Sequence, residues 1–240
     1  MSTPKAIFCW SGGKDSSYAL HKILIEKQFD VKYLLTTVNS RFNRISMHGV
    51  HEDLLSLQSA SLGIPLLKVS VSEGTNSEYE QQMEKTLLQV KSEEIEHVIF
   101  GDIFLEDLRI YREQNLAKVG MTGVFPLWKL DTKWMINDFL MKGFKTITCC
   151  INDGYLTEEW VGKEIDRSFV ENLPITVDPC GENGEFHTFC FEGPIFKKKI
   201  PFSIGDRVYK PLTVTADNMC SSSATTKGFW FCDLIPTNAS

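Results

Sequence analysis

The sequence predicts an α/β protein: a parallel sheet with helices on both faces, followed by a smaller α+β domain. Three observations carry this expectation. Apolar runs of strand length alternate with stretches of helical periodicity through the first half, and strand–helix–strand crossovers imply parallel pairing. The 240 residues suffice for one full α/β core and a smaller second unit. The character then shifts at the aromatic segment Phe125-Pro126-Leu127-Trp128, which places the boundary between domains 1–125 and 126–240.

Ala6 to Trp10 is an apolar run suited to a buried strand, and Ala19, Leu20, Ile23 and Leu24 repeat at helical spacing behind it. Lys32 to Val38 is a second strand, Asn39 to Ser46 a polar loop. Met47-His48-Gly49-Val50-His51-Glu52 leads into a helix with Val50, Leu54 and Leu57 on one face, stopped by Gly63 and Pro65. Pro65 to Val71 is the third strand. Ser77 and Glu80 fit a capping box for a helix striped by Tyr79, Met83, Leu87 and Val90. His97 to Ile103 is the fourth strand. In the second unit, Thr132 is expected to cap a helix with Met135, Ile136, Phe139 and Leu140 inward and Gly143 at its end. Thr146 to Ile151 is a strand, Asp153-Gly154 a turn and Thr157 to Asn172 a helix. Asp217 to Lys227 is a loop or mobile segment and Gly228 to Ile235 a closing strand.

The formal charge is −6, from 25 basic against 31 acidic residues, which argues against a nucleic-acid partner. The lone lysine run, Lys197-Lys198-Lys199, is short enough to be a solvated edge. No run has the length of a membrane span, and the start lacks a signal-peptide core, so the expected location is the cytoplasm. Seven scattered cysteines without a CxxC favour reduced thiols over disulfides or zinc.

Between the first strand and first helix stands Ser11-Gly12-Gly13-Lys14-Asp15-Ser16-Ser17. Two glycines admit close backbone approach, and the following helix presents unpaired N–H groups and a partial positive charge. Lys14 adds a cation, and Ser11, Ser16 and Ser17 add hydroxyls: an anion cradle. The usual P-loop is excluded, because Phe8 occupies its leading glycine position and Asp15 its Ser/Thr position. Thr36-Thr37-Val38 and Gly101-Asp102 also fall at strand carboxyl ends, where open α/β sheets collect ligands. Thr37, Val38, Gly101 and Asp102 are therefore expected to join the loop around one nucleotide. A second unusual stretch, Asp178 to Phe189, has two glycines and an asparagine in a turn that should bring Glu182 and Glu185 together. Taken alone it is also compatible with a hairpin turn ahead of a buried aromatic strand.

The loop Ser11 to Ser16 resembles the SGGxDS loop of PP-loop ATP pyrophosphatases. Together with Gly181-Glu182-Asn183-Gly184-Glu185-Phe186-His187-Thr188-Phe189, it is similar to the diphthine–ammonia ligase family, in a compact form resembling the bacterial branch. Met47-His48-Gly49-Val50, Leu62-Gly63-Ile64-Pro65, Gly101-Asp102, Pro126-Leu127-Trp128 and Gly143-Phe144 extend the match over about residues 6 to 205. Family members often carry glutamate at the position of His187. The resemblance implies a Rossmann-like nucleotide domain of the HUP/PP-loop type with a family-specific second domain. It implies ATP and Mg2+ as cofactors and ammonia as co-substrate. The acceptor would be a carboxylate, on an elongation factor 2-like protein as diphthine or on a small molecule. By motif, Ser11, Gly12, Gly13, Lys14, Asp15 and Ser16 would hold the phosphates, and Glu182, Gly184, Glu185, Phe186 and Thr188 would face the acceptor.

Chemistry agrees with these residues. A carboxylate reacts with ammonia only after its oxygen is made a leaving group, which adenylation by ATP achieves. Lys14, the serines and Mg2+ would neutralise departing pyrophosphate. Asp15 is the candidate Mg2+ ligand or, equally, the cap of its helix. Lys14, Asp15 and Glu185 are the candidate catalytic groups. Glu182, Glu185 and Phe186 would suit the quaternary ammonium of diphthine. His48, His51 and His187 are too dispersed for a metal site and read as hydrogen-bonded loop residues. A homodimer is compatible with the sequence. The competing readings are a tRNA-modifying PP-loop enzyme, against which the charge and the missing CxxC speak, and a universal-stress-type ATP sensor, which has no need of Asp15 and a pyrophosphate cradle.

Overall fold

A computed structural model describes residues 3–45, 48–72, 75–212 and 226–237. The chain opens with β1 (Lys5–Cys9), buried on both faces: Ala6, Phe8 and Trp10 join one apolar core, while Ile7 joins another with Cys9 at its margin. A strand buried on both faces is a continuous apolar run, the pattern seen in its sequence. It feeds α1 (Lys14–Glu26), then β2 (Asp30–Asn39), parallel to β1 and longer than it. β3 (Arg44–Ile45) is a short antiparallel partner of Val38 and Asn39, where the sequence suggested only loop. It forms because Ile45 is buried and its N–H reaches the Val50 carbonyl (2.9 Å). α2 (Glu52–Leu62) follows, ended by Gly63 at φ 74°, and β4 (Leu66–Val71) pairs with residues 34–39 of β2.

α3 (Asn76–Lys91) is capped two residues before the expected Ser77–Glu80 box: Thr75 accepts from Glu78 N (3.2 Å). β5 (His97–Ile99) is shorter than predicted, because Gly101 leaves the sheet to meet the start of α1. α4 (Glu106–Lys118) and β6 (Thr122–Val124) complete this sheet. β2 and β4 lie on one side of β1, and β5 and β6 on the other. The strand order therefore reverses at β1, and the loops after β1 and β5 flank the crevice where such sheets bind ligands. α3 and α4 pack on the Ile7 face and α1 and α2 on the other.

α5 (Thr132–Met141) is capped by Asp131, which accepts from Trp134 N (2.7 Å); Thr132 instead donates its hydroxyl to Asp178 (2.6 Å). β7 (Lys145–Asn152) leads to a segment that sequence periodicity makes one helix, Thr157 to Asn172. The structure divides it into a 3-10 turn at Glu158–Trp160, a bridge from Glu164 to Ile147, and α6 (Arg167–Asn172). The helix is interrupted because β7 recruits it: Thr148 N donates to the Lys163 carbonyl (2.9 Å). β8 (Phe186–Glu192), β9 (Phe202–Pro211) and β10 (Gly228–Pro236) finish an antiparallel sheet ordered β8-β7-β10-β9. Of the expected loop Asp217 to Lys227, residues up to 225 lie outside the described residues. One continuous apolar core runs from Phe8 and Tyr18 through Phe139 and Ile147 to Phe189, across the expected boundary at 125. Among the described residues, no helix is long and apolar enough to cross a membrane.

The two halves are joined by a polar residue inside this core. Gln58 of α2 is fully buried; it accepts from Trp10 Nε1 (2.8 Å) and donates to the carbonyls of Gly12 (2.9 Å) and Cys190 (2.6 Å). Gln58→Leu would preserve volume and leave these groups short of partners. We expect it to lower unfolding free energy by about 2–4 kcal/mol in urea titrations, with the slope unchanged. A loss below about 1 kcal/mol would show that Gln58 is not the tie between the halves.

Candidate active site at the first strand–helix turn

Residues 11–16 leave β1 and enter α1 through Gly12, which stands at φ 78°, a conformation that favours glycine. Each glycine of the loop is also in close contact. A Cβ on Gly12 would lie 2.7 Å from Gln58 Oε1, and one on Gly13 2.9 Å from the Thr188 carbonyl oxygen. Gly13 is the N-cap of α1 and supplies no side-chain cap. Its own N–H is received by Ser11 Oγ (3.3 Å), and Lys14 N donates to Thr188 Oγ1 (3.0 Å). Ser16 and Ser17 donate back to the Gly13 carbonyl (3.0 and 2.8 Å), stiffening the turn. Gly101 approaches from β5: a Cβ there would be 3.1 Å from Ser16 N, covering the helix terminus. The N-cap residue itself brings no side chain to the positive end of α1; the acceptors there, Ser11 Oγ and Thr188 Oγ1, are neutral hydroxyls, so the terminus keeps its attraction for an anion.

Lys14 is 3% exposed, with Nζ 2.8 Å from the Asp15 carboxylate and 5.5 Å from the centre of the Phe186 ring. Burial opposes its charge, but the Asp15 carboxylate overrides this and holds the ammonium above its ordinary range. Burial raises the Asp15 carboxyl against the pull of Lys14, and Asp178 adds to the rise. Glu182 accepts from Ile103 N (2.9 Å) and Phe104 N (3.3 Å), fastening the loop after β5 to the turn before β8. Burial first, then the Asp15 charge, pushes it up to about 7, against its bonds to Ile103 and Phe104 and the Lys14 charge.

The remaining expected residues divide. Glu185, expected to face the acceptor, is 0% exposed; its oxygens accept from Asp178 N (2.9 Å), Asn183 N (2.8 Å) and Asn183 Nδ2 (3.1 Å). Gly181 and Gly184 at φ 69° and 82° fold the turn so that this carboxylate points inward. Thr188 is likewise spent on Lys14 N, whereas Phe186 lies against the Lys14 ammonium. Gly101 is at the loop; Asp102 is paired with Arg112 (Nε–Oδ2 2.7 Å), whose guanidinium lies over Phe100 (4.4 Å). Thr37 and Val38 sit at the carboxyl end of β2, Val38 buried, and among the described residues neither side chain bonds to the loop. His51 caps α2 by accepting from Asp53 N (3.3 Å), outside the site. Gln58 was missed from sequence. Its signal was a polar residue four after Leu54 on the apolar face of α2.

Residues 4–123 match the family model for the diphthamide synthase N-terminal domain, and residues 131–213 match that for the diphthamide synthase C-terminal domain. The chain belongs to the diphthamide synthase family. It is 24% identical over 209 residues to the diphthine–ammonia ligase of Schizosaccharomyces pombe, covering 79% of this chain and 34% of that protein, so it spans about a third of that relative. It is 24% identical over 218 residues to the Mus musculus diphthine–ammonia ligase and 22% over 214 residues to the Homo sapiens one, covering 79% of each chain in both cases. The matched N-terminal region holds the loop, Gln58 and Gly101, and the matched C-terminal region holds Glu182, Glu185 and Thr188.

Glu182 gives the family site a pH signature. Its folded value near 7 stands above its ordinary 4.5, so the folded state retains a proton that the unfolded chain releases. The stability this contributes is complete below the unfolded value and is lost as pH rises through the folded one. Without ligand, stability should fall by about 1–3 kcal/mol between about pH 5 and 7, and Glu182→Gln should flatten that window. Urea midpoints across the window test this; an equal slope in the variant would contradict it.

Proposed function

We propose that this chain is an ATP-dependent ligase of the diphthine–ammonia ligase type, which adenylates a carboxylate and amidates it with ammonia. The observation that carries the reading is the Gly12-Gly13 turn into α1, whose N-cap residue brings no side-chain cap, with the buried Lys14 ammonium, at the point where strand order reverses. The names of the relatives support diphthine as the acceptor, which the family resemblance would place on elongation factor 2, and a cytoplasmic location is the expectation for such a substrate. A homodimer is compatible with this reading.

The α1 terminus and the loop N–H groups bind the ATP phosphates, and Lys14 exchanges part of its contact with Asp15 for them. An acceptor carboxylate oxygen attacks the α-phosphorus; the bond to the β-phosphate oxygen breaks and pyrophosphate leaves with the electron pair. Ammonia then attacks the acyl carbon, the bond to the AMP oxygen breaks, AMP leaves with that pair, and one proton passes to water. Preorganised positive groups stabilise charge that develops on the leaving pyrophosphate. Among the described residues, no three His, Cys, Asp or Glu side chains form a metal cage. The carboxylate of Asp15 is the hard oxygen donor at the loop, so Mg2+ would be held by Asp15 together with phosphate oxygens and would supply charge neutralisation. Glu185 acts here by positioning the turn that carries Glu182 and Phe186, which would face the cationic diphthine side chain.

With ATP, ammonium and diphthine-bearing elongation factor 2, the products should be AMP and pyrophosphate, and glutamine should not replace ammonium. Lys14→Ala should cost about 2–4 kcal/mol of transition-state stabilisation, read as kcat/KM for ATP. ADP and orthophosphate as products would overturn the proposal.

A further inference from the structure

Two imidazoles lie against the loop and are unused in the reaction above. His48 stands between β3 and α2, and His187 is the second residue of β8. Their ring centres are 4.8 Å apart at 32°. His48 Nδ1 lies 3.1 Å from the Thr188 carbonyl oxygen, which can only accept. Nδ1 therefore carries the proton, and Nε2 presents a free lone pair. The atom between them, Cε1, rests on the loop: a Cβ on Gly13 would be 3.2 Å from it. Nε2 is thus one bond from an atom that faces Gly13. Among the described residues, neither His48 Nε2 nor His187 has a hydrogen-bond partner. Both residues are half-buried.

The surround is built rather than incidental. His187 pairs across the sheet with Cys150, which pairs with Phe231, and the Phe231 ring presses on Gly49 so closely that a Cβ there would be 2.8 Å away. Gly49 at φ 67° turns the chain so that His48 lies over His187. Lys14 from α1 acts on both rings, and buried Cys150 from β7 stands opposite His187.

Resting on the function proposed above, we infer that His48 and His187 form the ammonia site, accepting N–H bonds from neutral ammonia beside Gly13. Ammonia needs an acceptor for its N–H groups that leaves its own lone pair free. A carboxylate would favour the ammonium ion, whose lone pair is already protonated. Neutral imidazoles accept without that bias, and the Lys14 cation penalises ammonium further. Burial and Lys14 bring His48 down to about 4, against its bond to Thr188; burial, His48 and Lys14 bring His187 down to about 3. Both rings therefore stay neutral where the enzyme works.

The direct test is imidazole nitrogen NMR of the whole protein, with ammonium chloride as probe and sodium chloride as the ionic control. At about pH 9, where free ammonia is abundant, the His48 Nε2 resonance should shift saturably; at about pH 6.5 it should not. No shift, or an equal shift with sodium chloride, overturns the assignment. This readout needs neither ATP nor acceptor, so it stands or falls separately from the ligase reaction. A kinetic arm adds selectivity: His187→Ala should raise KM for ammonium about tenfold, move KM for ATP less than about twofold, and admit methylamine as nucleophile. Equal changes in both KM values, with methylamine still excluded, would mark the pair as structural.

Discussion

Everything at this site depends on how the Gly12–Gly13 backbone is clasped from both halves of the chain. The Gly12 carbonyl accepts from Cys190 N (2.8 Å) and from Gln58, while Lys14 N is taken by Thr188, 174 residues away in sequence. A glycine pair is the most pliant element of a backbone, and left alone it would lose much conformational freedom on binding phosphate. Here that freedom is already spent in folding. The second sheet is therefore a wall of the Gly12–Gly13 loop, and β8 carries both that wall and Phe186. On the proposed reading, nucleotide and acceptor would meet there because one strand serves both.

The clasp also explains the electrostatics. Packing β8 and the Asp178–Glu185 turn onto α1 buries the Lys14–Asp15 pair, with Glu182 acting on both and Asp178 on Asp15. Such a cluster is costly without ligand, since burial disfavours each charge and only some pairs compensate. Glu182 illustrates this, rising to about 7 although two backbone N–H groups bind it. ATP phosphates and a hard cation would redistribute these charges.

How much of this the sequence shows depends on whether the causal residues are neighbours. The loop Ser11 to Ser16 was legible because strand, glycine pair and helix start are contiguous, and their chemistry is local. α4 was not, because Leu116 is its one fully buried residue and its periodicity is faint. β9 is an edge strand, mostly exposed, with no apolar run to betray it. Glu185 was assigned outward for a related reason: Gly181 and Gly184 decide its direction, and that geometry exists only once β8 has docked. The His48–His187 contact spans residues 48 to 187, and neither residue alone suggests a pair.

The central claim is that an acceptor carboxylate attacks the α-phosphorus of ATP held at this loop. The most direct measurement uses elongation factor 2 whose diphthine carboxylate carries heavy oxygen, incubated with enzyme, ATP and ammonium. The account predicts one labelled oxygen in the AMP formed and none in pyrophosphate. Label in orthophosphate, or AMP without label, would contradict it.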